Sequence, residues 1–298
     1  MNTTVILMAY GSPTTMEEVP EYLREIYEGR EVPEYAMKEN TEKYRMVNGV
    51  SPSNAIIDSV VEKLKRRMSA VQETSVVLGN KHWKPFLKDV VSQMKADPPE
   101  RIIGIPLFPF PSTNVLNSYL GPLREALQSN GLDPFVKMVN GLDLDLLADI
   151  WARIIDRKRP AENEALLFDA HSLPTFRNPE PEYDAAFSEL SAKIAQRLSF
   201  QGYFRGYQSV GKYGKSWLGP TIYETFREIR KNYGSIVAAP IGFLYEHLEV
   251  LYDLDLEFGH ETVIKSGAGY RRTILPDDSE DMVNLLEKVI IRAMEDHE

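Results

Sequence analysis

Ile236 to Phe258 reads IVAAPIGFLYEHLEVLYDLDLEF. Its opening, Ile236 to Phe243, is apolar apart from Pro240 and Gly242. A run this short fits a buried parallel strand and falls well below the roughly 20 residues of a membrane span. The residues after it are helical in pattern. In an α-helix of 3.6 residues per turn, Glu249, Asp253 and Glu257 stand at i, i+4 and i+8 and stack three carboxylates on one face, with Glu246 at its rim. The same wheel turns His247 about 200° away from Glu249, as a structural residue or one that supports the site from behind. No Lys or Arg occurs between Lys231 and Lys265. Unrelieved like charges cost an exposed helix about 0.2–0.5 kcal/mol per neighbouring pair. Two readings fit: a solvated acidic face on an acidic protein, or a face that a cation visits. The helix follows a strand's carboxyl end, where ligands bind in open α/β sheets, and this favours the second.

Working outward, the same strand-then-helix order recurs along the chain. Strands are predicted over 4–9, 74–79, 101–108 and 134–139, separated by helices over 16–30, 36–46, 53–68 and 113–129 and a further helix after His82-Trp83. A helix over 143–157 runs into the charged, proline-containing stretch Lys158 to Glu164, the best linker. The second half repeats the plan with strands over 165–170, 203–207 and 236–241 and helices over 183–198 and 221–232. Alternation of this kind gives parallel sheets with crossover helices. The predicted organisation is a first α/β lobe over 1–157, a second over 164–278, and a closing amphipathic helix, 279–298, that packs back on the first. A faint echo links the halves: Ala9-Tyr10-x-x-Pro13 and Ala170-His171-x-x-Pro174 each end the first strand of their half. That places Tyr10 and His171 at equivalent strand ends, and in two facing sheets both would enter one cleft.

The totals narrow the chemistry. The chain has 298 residues, 43% hydrophobic and 26% charged, enough for two medium domains with cores of their own. With no cysteine, disulfides, thiolate zinc sites and Cys-ligated iron–sulfur clusters are excluded, so any metal takes His, carboxylate or carbonyl ligands. A net charge of −10 argues against nucleic acid, which needs a basic footprint. No apolar run of 18 residues and no charged-then-apolar leader precede the first strand, so a cytoplasmic location is expected. Gly267-Ala268-Gly269 lacks the third glycine of a dinucleotide fingerprint. Trp83, which with His82 precedes a helix, and Trp217 read as core residues, and His260 and His297 as surface residues.

His171-Ser172-Leu173-Pro174, Gly242-Phe243 and His247 to Asp253 together resemble the ferrochelatase family, the enzymes that insert ferrous iron into a porphyrin. The resemblance extends, in order, through Met8 to Pro13, Gly49-Val50-Ser51-Pro52, Gly79-x-Lys81-His82, Ser118-Tyr119, Gln208-Ser209 and Trp217 to Pro220, nearly the whole chain. It implies two similar Rossmann-like lobes, each a parallel sheet flanked by helices, as in class II chelatases. It implies His171 and Glu249 as the metal-site pair, one taking protons or metal and the other facing it, since neutral imidazole does both near neutral pH. Asp253 and Glu257 are expected to extend the metal site outwards as a row passing a cation or protons. Tyr10 is similar to the family's tyrosine that meets the metal from the opposite porphyrin face. Tyr44, Ser51 and Tyr119 match ring-contact positions and read equally as packing or capping. Around Gly29, Tyr27 and Glu28 stand where arginines are common in part of the family, which leaves Arg30; Lys43 also replaces an arginine. Losing the planar fork weakens bidentate recognition of propionates and leaves protoporphyrin IX and coproporphyrin III both open. The resemblance further implies Fe2+ as substrate, no organic cofactor and no ATP. A monomer is expected, without stable membrane insertion because the segment 16–46 is rich in Glu. Alternatives are a chelatase for cobalt or nickel with another tetrapyrrole, or a non-catalytic haem or metal carrier.

Overall fold

The computed structural model describes residues 2–71, 73–175, 180–200, 202–211 and 216–295, and the chain divides into two compact units. His297 and part of the Gly211–Gly219 loop lie outside the described residues.

The first unit comprises 1–107, 112–141 and 278–298. Its strands β1 (Thr3–Ala9), β2 (Thr74–Asn80), β3 (Arg101–Pro106) and β4 (Phe135–Met138) form a parallel sheet in the order β2-β1-β3-β4. Every residue of β1 and β3 is buried, which is why both read as continuous apolar runs without alternation: helices cover both faces. The unit's helices are α1 (Val19–Ile26), α2 (Glu34–Met46), α3 (Ser53–Met68), α4 (Leu87–Gln93) and α5 (Thr113–Ser129), of which α3 and α4 pack on β2 and α5 on β3. The C-terminal helix α9 (Glu280–Glu295) packs on α3 and β3, burying Val283, Leu286 and Ile290. Arg67 reaches from α3 to Glu287, 2.8 Å away, and to Glu280.

The second unit comprises 108–111 and 142–277. Helix α6 (Leu144–Asp156) packs on α7 (Pro181–Arg197) and belongs here, so the expected boundary at 157 moves back to 141. The cause is its buried stripe of Leu147, Ile150, Trp151, Ile154 and Ile155, which is covered within the second unit. Strands β5 (Glu164–His171), β6 (Tyr203–Gln208), β7 (Ser235–Ala239) and β8 (Gly269–Arg272) form a parallel sheet in the order β6-β5-β7-β8, with α8 (Ile222–Ile229) leading into β7. The strand β8 has no counterpart in the sequence reading. The two sheets share one order of connection, β1 corresponding to β5, so Tyr10 and His171 do stand at equivalent strand ends.

The largest departure is the acidic helix. Val250–Val263 is a π-helix, not an α-helix; at its end the Ile264 N–H reaches back five residues to the Gly259 carbonyl. Its buried side chains include Val250, Leu254, Phe258 and Val263, spaced four, four and five. That spacing matches a turn of about 4.4 residues better than one of 3.6.

Candidate metal and proton-transfer site

The second unit brings His171, Glu249 and His247 together. Strand β5 is buried from Ala165 to Ala170 and delivers His171 at its carboxyl end. The chain leaving β7 must then pass hard against β5. At Gly242 an added Cβ would lie 2.4 Å from the Ala170 Cβ and 2.5 Å from its Cα, so only glycine fits, and the Gly242 N–H donates to the Asp169 carbonyl at 3.0 Å. This passage brings the start of the π-helix to His171.

The His171 Nδ1–H donates to the Ser172 carbonyl. A carbonyl can only accept, so in the neutral ring the lone pair sits on Nε2. That atom faces Glu249 Oε1 at 3.7 Å. His247 Nδ1 likewise donates to the Tyr245 carbonyl at 3.1 Å and turns its Nε2 to Glu249 Oε2 at 3.6 Å. Each carboxylate oxygen is therefore flanked by an imidazole, at distances beyond a hydrogen bond. The expected outward position of His247 is corrected: the helix begins at Leu248, so no helical wheel governs residue 247.

Burial alone pushes the His171 pKa down, but the neighbouring Glu249 charge outweighs it and raises the ring above its ordinary value. Burial pushes Glu249 up, yet His171 and then His247 bring it well below the usual range. The side chains keep 27% and 42% exposure, so water screens part of this attraction. Both shifts favour the charged pair, imidazolium and carboxylate, over the neutral one. Once its proton leaves, the pair presents one nitrogen and one carboxylate oxygen to a cation.

The rest of the row grades from buried to open. Asp253 is buried and accepts from Ser209 Oγ at 2.7 Å, with Ser209 held at φ +56° just past β6. Glu257 is exposed and sits beside the Tyr223 hydroxyl, whose pKa burial and Glu257 both push up. Gln208 donates towards the Glu249 carbonyl at 3.4 Å, and Tyr183 donates to the His171 carbonyl at 2.7 Å. Behind His171, Asp169 is fully buried with neither carboxyl oxygen hydrogen-bonded among the described residues; burial drives its pKa far up. Ser209, Tyr183, Tyr223 and Asp169 had no sequence signal for their parts here beyond the Gln208-Ser209 match. Among the described residues, no three His, Asp or Glu side chains converge as a closed metal cage.

The remaining candidates lie in the first unit. Tyr10 follows β1 with 45% exposure, its ring tilted over His82 at 4.5 Å. Arg30 is exposed, and its Nε donates to the Tyr27 carbonyl at 3.0 Å. Lys43 is half-buried on α2. Tyr44, Ser51 and Tyr119 are buried and act within the unit through packing. Tyr44 hydrogen-bonds Ser12 at 3.1 Å and meets Tyr22 edge-on, bracing the turn after β1. Ser51 lies 3.0 Å from the hydroxyl of Ser53, the first residue of α3, and Lys81 approaches the Tyr119 ring at 6.0 Å.

The Ferrochelatase family model matches residues 2–294. This chain belongs to the ferrochelatase family. A relative named "Ferrochelatase" from Thermoplasma acidophilum is 42% identical over 99% of this chain and 92% of its own. "Coproporphyrin III ferrochelatase 1" from Bacillus anthracis is 32% identical over 98% of this chain and 97% of its own. Among solved structures, "SirB from Bacillus subtilis with Fe3+" shares the fold at a TM-score of 0.63, with 10% identity over 99% of this chain and 96% of that one. The two-lobed, parallel-sheet architecture is thus that of the chelatases.

Proposed function

We propose that the chain inserts Fe2+ into a propionate-bearing porphyrin, protoporphyrin IX or coproporphyrin III, as a lyase of haem biosynthesis. The observation that carries the reading is Glu249 standing between the Nε2 atoms of His171 and His247, at 3.7 and 3.6 Å. Insertion forms bonds from the metal to the ring nitrogens and releases two N–H protons. His171 Nε2, once neutral, is the acceptor for a pyrrole proton or the first nitrogen ligand of the incoming iron. Glu249 supplies the matching negative charge, and its two oxygens share that charge between the imidazoles. A first-row ion bonded at about 2.0–2.2 Å to one nitrogen and one oxygen spans roughly 3.0–3.5 Å between them, so a small closure of the 3.7 Å gap would admit it. Asp253 and Glu257 serve as the entry row for iron or the exit row for protons.

In this reading iron is substrate, and no organic cofactor, ATP or iron–sulfur cluster takes part. Tyr10, Arg30 and Lys43 are proposed porphyrin contacts, Tyr10 through its exposed ring and the other two through cationic attraction to propionates. The same reading takes the protein as a monomer in the cytoplasm; no described helix is long and apolar enough to cross a membrane. The test is an anaerobic visible-spectrum assay with Fe2+ and each porphyrin, beside His171→Ala. Many turnovers with one porphyrin, lost in the variant, support the reading and name the substrate. A bound-porphyrin spectrum without turnover contradicts it and points to a carrier.

A further inference from the structure

A π-helix of this length needs a cause, because π winding elsewhere is mostly confined to single turns. The edge strand β8 supplies one. Tyr270 lies flat on the helix where Gly259 has no side chain: a Cβ there would fall 2.5 Å from the ring. The Tyr270 hydroxyl reaches the Leu254 carbonyl at 3.3 Å and Asp255 Oδ1 at 3.0 Å. Arg272, only 13% exposed, closes the grip with Nε against both oxygens of Asp255 at 2.9 and 3.0 Å and its terminal nitrogens on Glu246 at 2.8 and 3.1 Å. The Glu246 N–H is held in turn by Asp277 at 2.8 Å.

These contacts fall on the back of the helix. At about 82° per residue, Asp255 points about 160° from Asp253, so β8 grips the face opposite the carboxylate row. The grip is also specific for the winding. From Asp255 to Gly259 a π-helix turns about 33° short of a full circle, whereas an α-helix overshoots by about 40°. Tightening to α would swing Gly259 some 70° relative to Asp255 and pull one of them off β8. Over the eight residues from Glu249 to Glu257 the same change would swing the row by about 145°.

We propose that β8 is the template that keeps Val250–Val263 in π winding, with Arg272 and Tyr270 as positioning residues that set where Glu249, Asp253 and Glu257 stand. The proposal rests on reading that row as the metal path. Neither residue touches a reacting atom; both act through the helix.

The experiment compares the wild type with Asp255→Asn, Arg272→Met and Arg272→Lys. It reads amide hydrogen exchange over Val250–Val263 and steady-state kinetics with Fe2+ and porphyrin varied separately. Asp255→Asn and Arg272→Met are expected to speed exchange in that segment at least tenfold while β5 and β7 keep their protection. They should raise the KM for Fe2+ at least fivefold and leave the KM for porphyrin within twofold. Lysine at 272 keeps the charge without the fork and is expected to recover part of the loss. A structural role alone would lower the melting temperature without separating the two KM values. Exchange and Fe2+ KM within twofold of wild type in Asp255→Asn overturn the proposal, and that isosteric variant decides alone if Arg272→Met does not fold. A wild type without turnover overturns the proposed function instead, and the exchange measurement still judges β8.

Discussion

Replacing Gly242 by alanine tests how the second unit builds its site. The new Cβ would stand 2.4 Å from the Ala170 Cβ, 2.5 Å from its Cα and 3.3 Å from the Asp169 carbonyl oxygen. Ordinary contact needs about 3.4 Å or more, so the loop after β7 and the end of β5 must separate by about 1 Å. The closest atoms belong to the Ala170 Cα and its Cβ, which no rotamer can move. The cost belongs at the upper end of overpacking, about 3 kcal/mol. At about 2–4 °C per kcal/mol for a domain of this size, the melting temperature should fall by roughly 6–12 °C. His171 lies next to Ala170, and Glu249 follows Gly242 along the chain, so the separation widens the 3.7 Å gap between them. A misplacement of about 1 Å at reacting groups costs on the order of 100-fold in rate. Scanning calorimetry and kcat/KM for Fe2+ measure both effects. A variant that melts within 1 °C of the wild type and keeps its activity would refute the argument that this passage positions the pair.

Two further outcomes follow from the electrostatics. Burial and then the neighbouring Lys81 push the His82 pKa down from 6.5 to about 4, so the folded state holds the ring neutral. A depressed folded pKa gives stability that is full above pH 6.5 and is lost as pH falls towards 4. Between pH 7.5 and 5 the loss is about 2 kcal/mol, and urea unfolding of His82→Phe should show that much less acid sensitivity than the wild type; equal slopes would remove His82 from the account. Neutralising the outer row with Asp253→Asn and Glu257→Gln together should raise the KM for Fe2+ several-fold while porphyrin affinity stays within twofold. Unchanged metal dependence, read by anaerobic initial rates, would take the row out of iron delivery.

The alternation of apolar runs and helical stripes carried the two-sheet architecture, because the inner strands β1, β3, β5 and β7 are buried along nearly their whole length and read as largely apolar runs. The echo around Tyr10 and His171 was equally legible, since equivalent strand ends meet equivalent turns. Strand β8 was hidden: four residues, Gly269–Arg272, two of them arginines, carry no strand pattern, and only their pairing with β7 and grip on the π-helix define them. Helix α6 was assigned to the wrong lobe because an amphipathic stripe shows that a face is buried and not what buries it. The π winding had a signal that a 3.6-residue reading passed over. Apolar residues at 250, 254, 258 and 263 are spaced for the wider turn, whereas an α stripe would have required burying Glu257 or Glu261. The same assumption misplaced His247, which stands before the helix and turns back to Glu249. His171 and Glu249 were legible as residues, but the side chains that hold their backbone, Tyr183 at the His171 carbonyl and Gln208 at the Glu249 carbonyl, are set by tertiary contacts between elements apart in sequence.

The central claim is that His171 and Glu249 receive the metal. Crystals soaked anaerobically with Fe2+ and measured across the iron absorption edge locate the ion directly. The account predicts an anomalous peak within about 2.3 Å of His171 Nε2 and of a Glu249 oxygen, with weaker density towards Asp253. A peak at saturating Fe2+ that lies elsewhere, with none near either side chain, would contradict it.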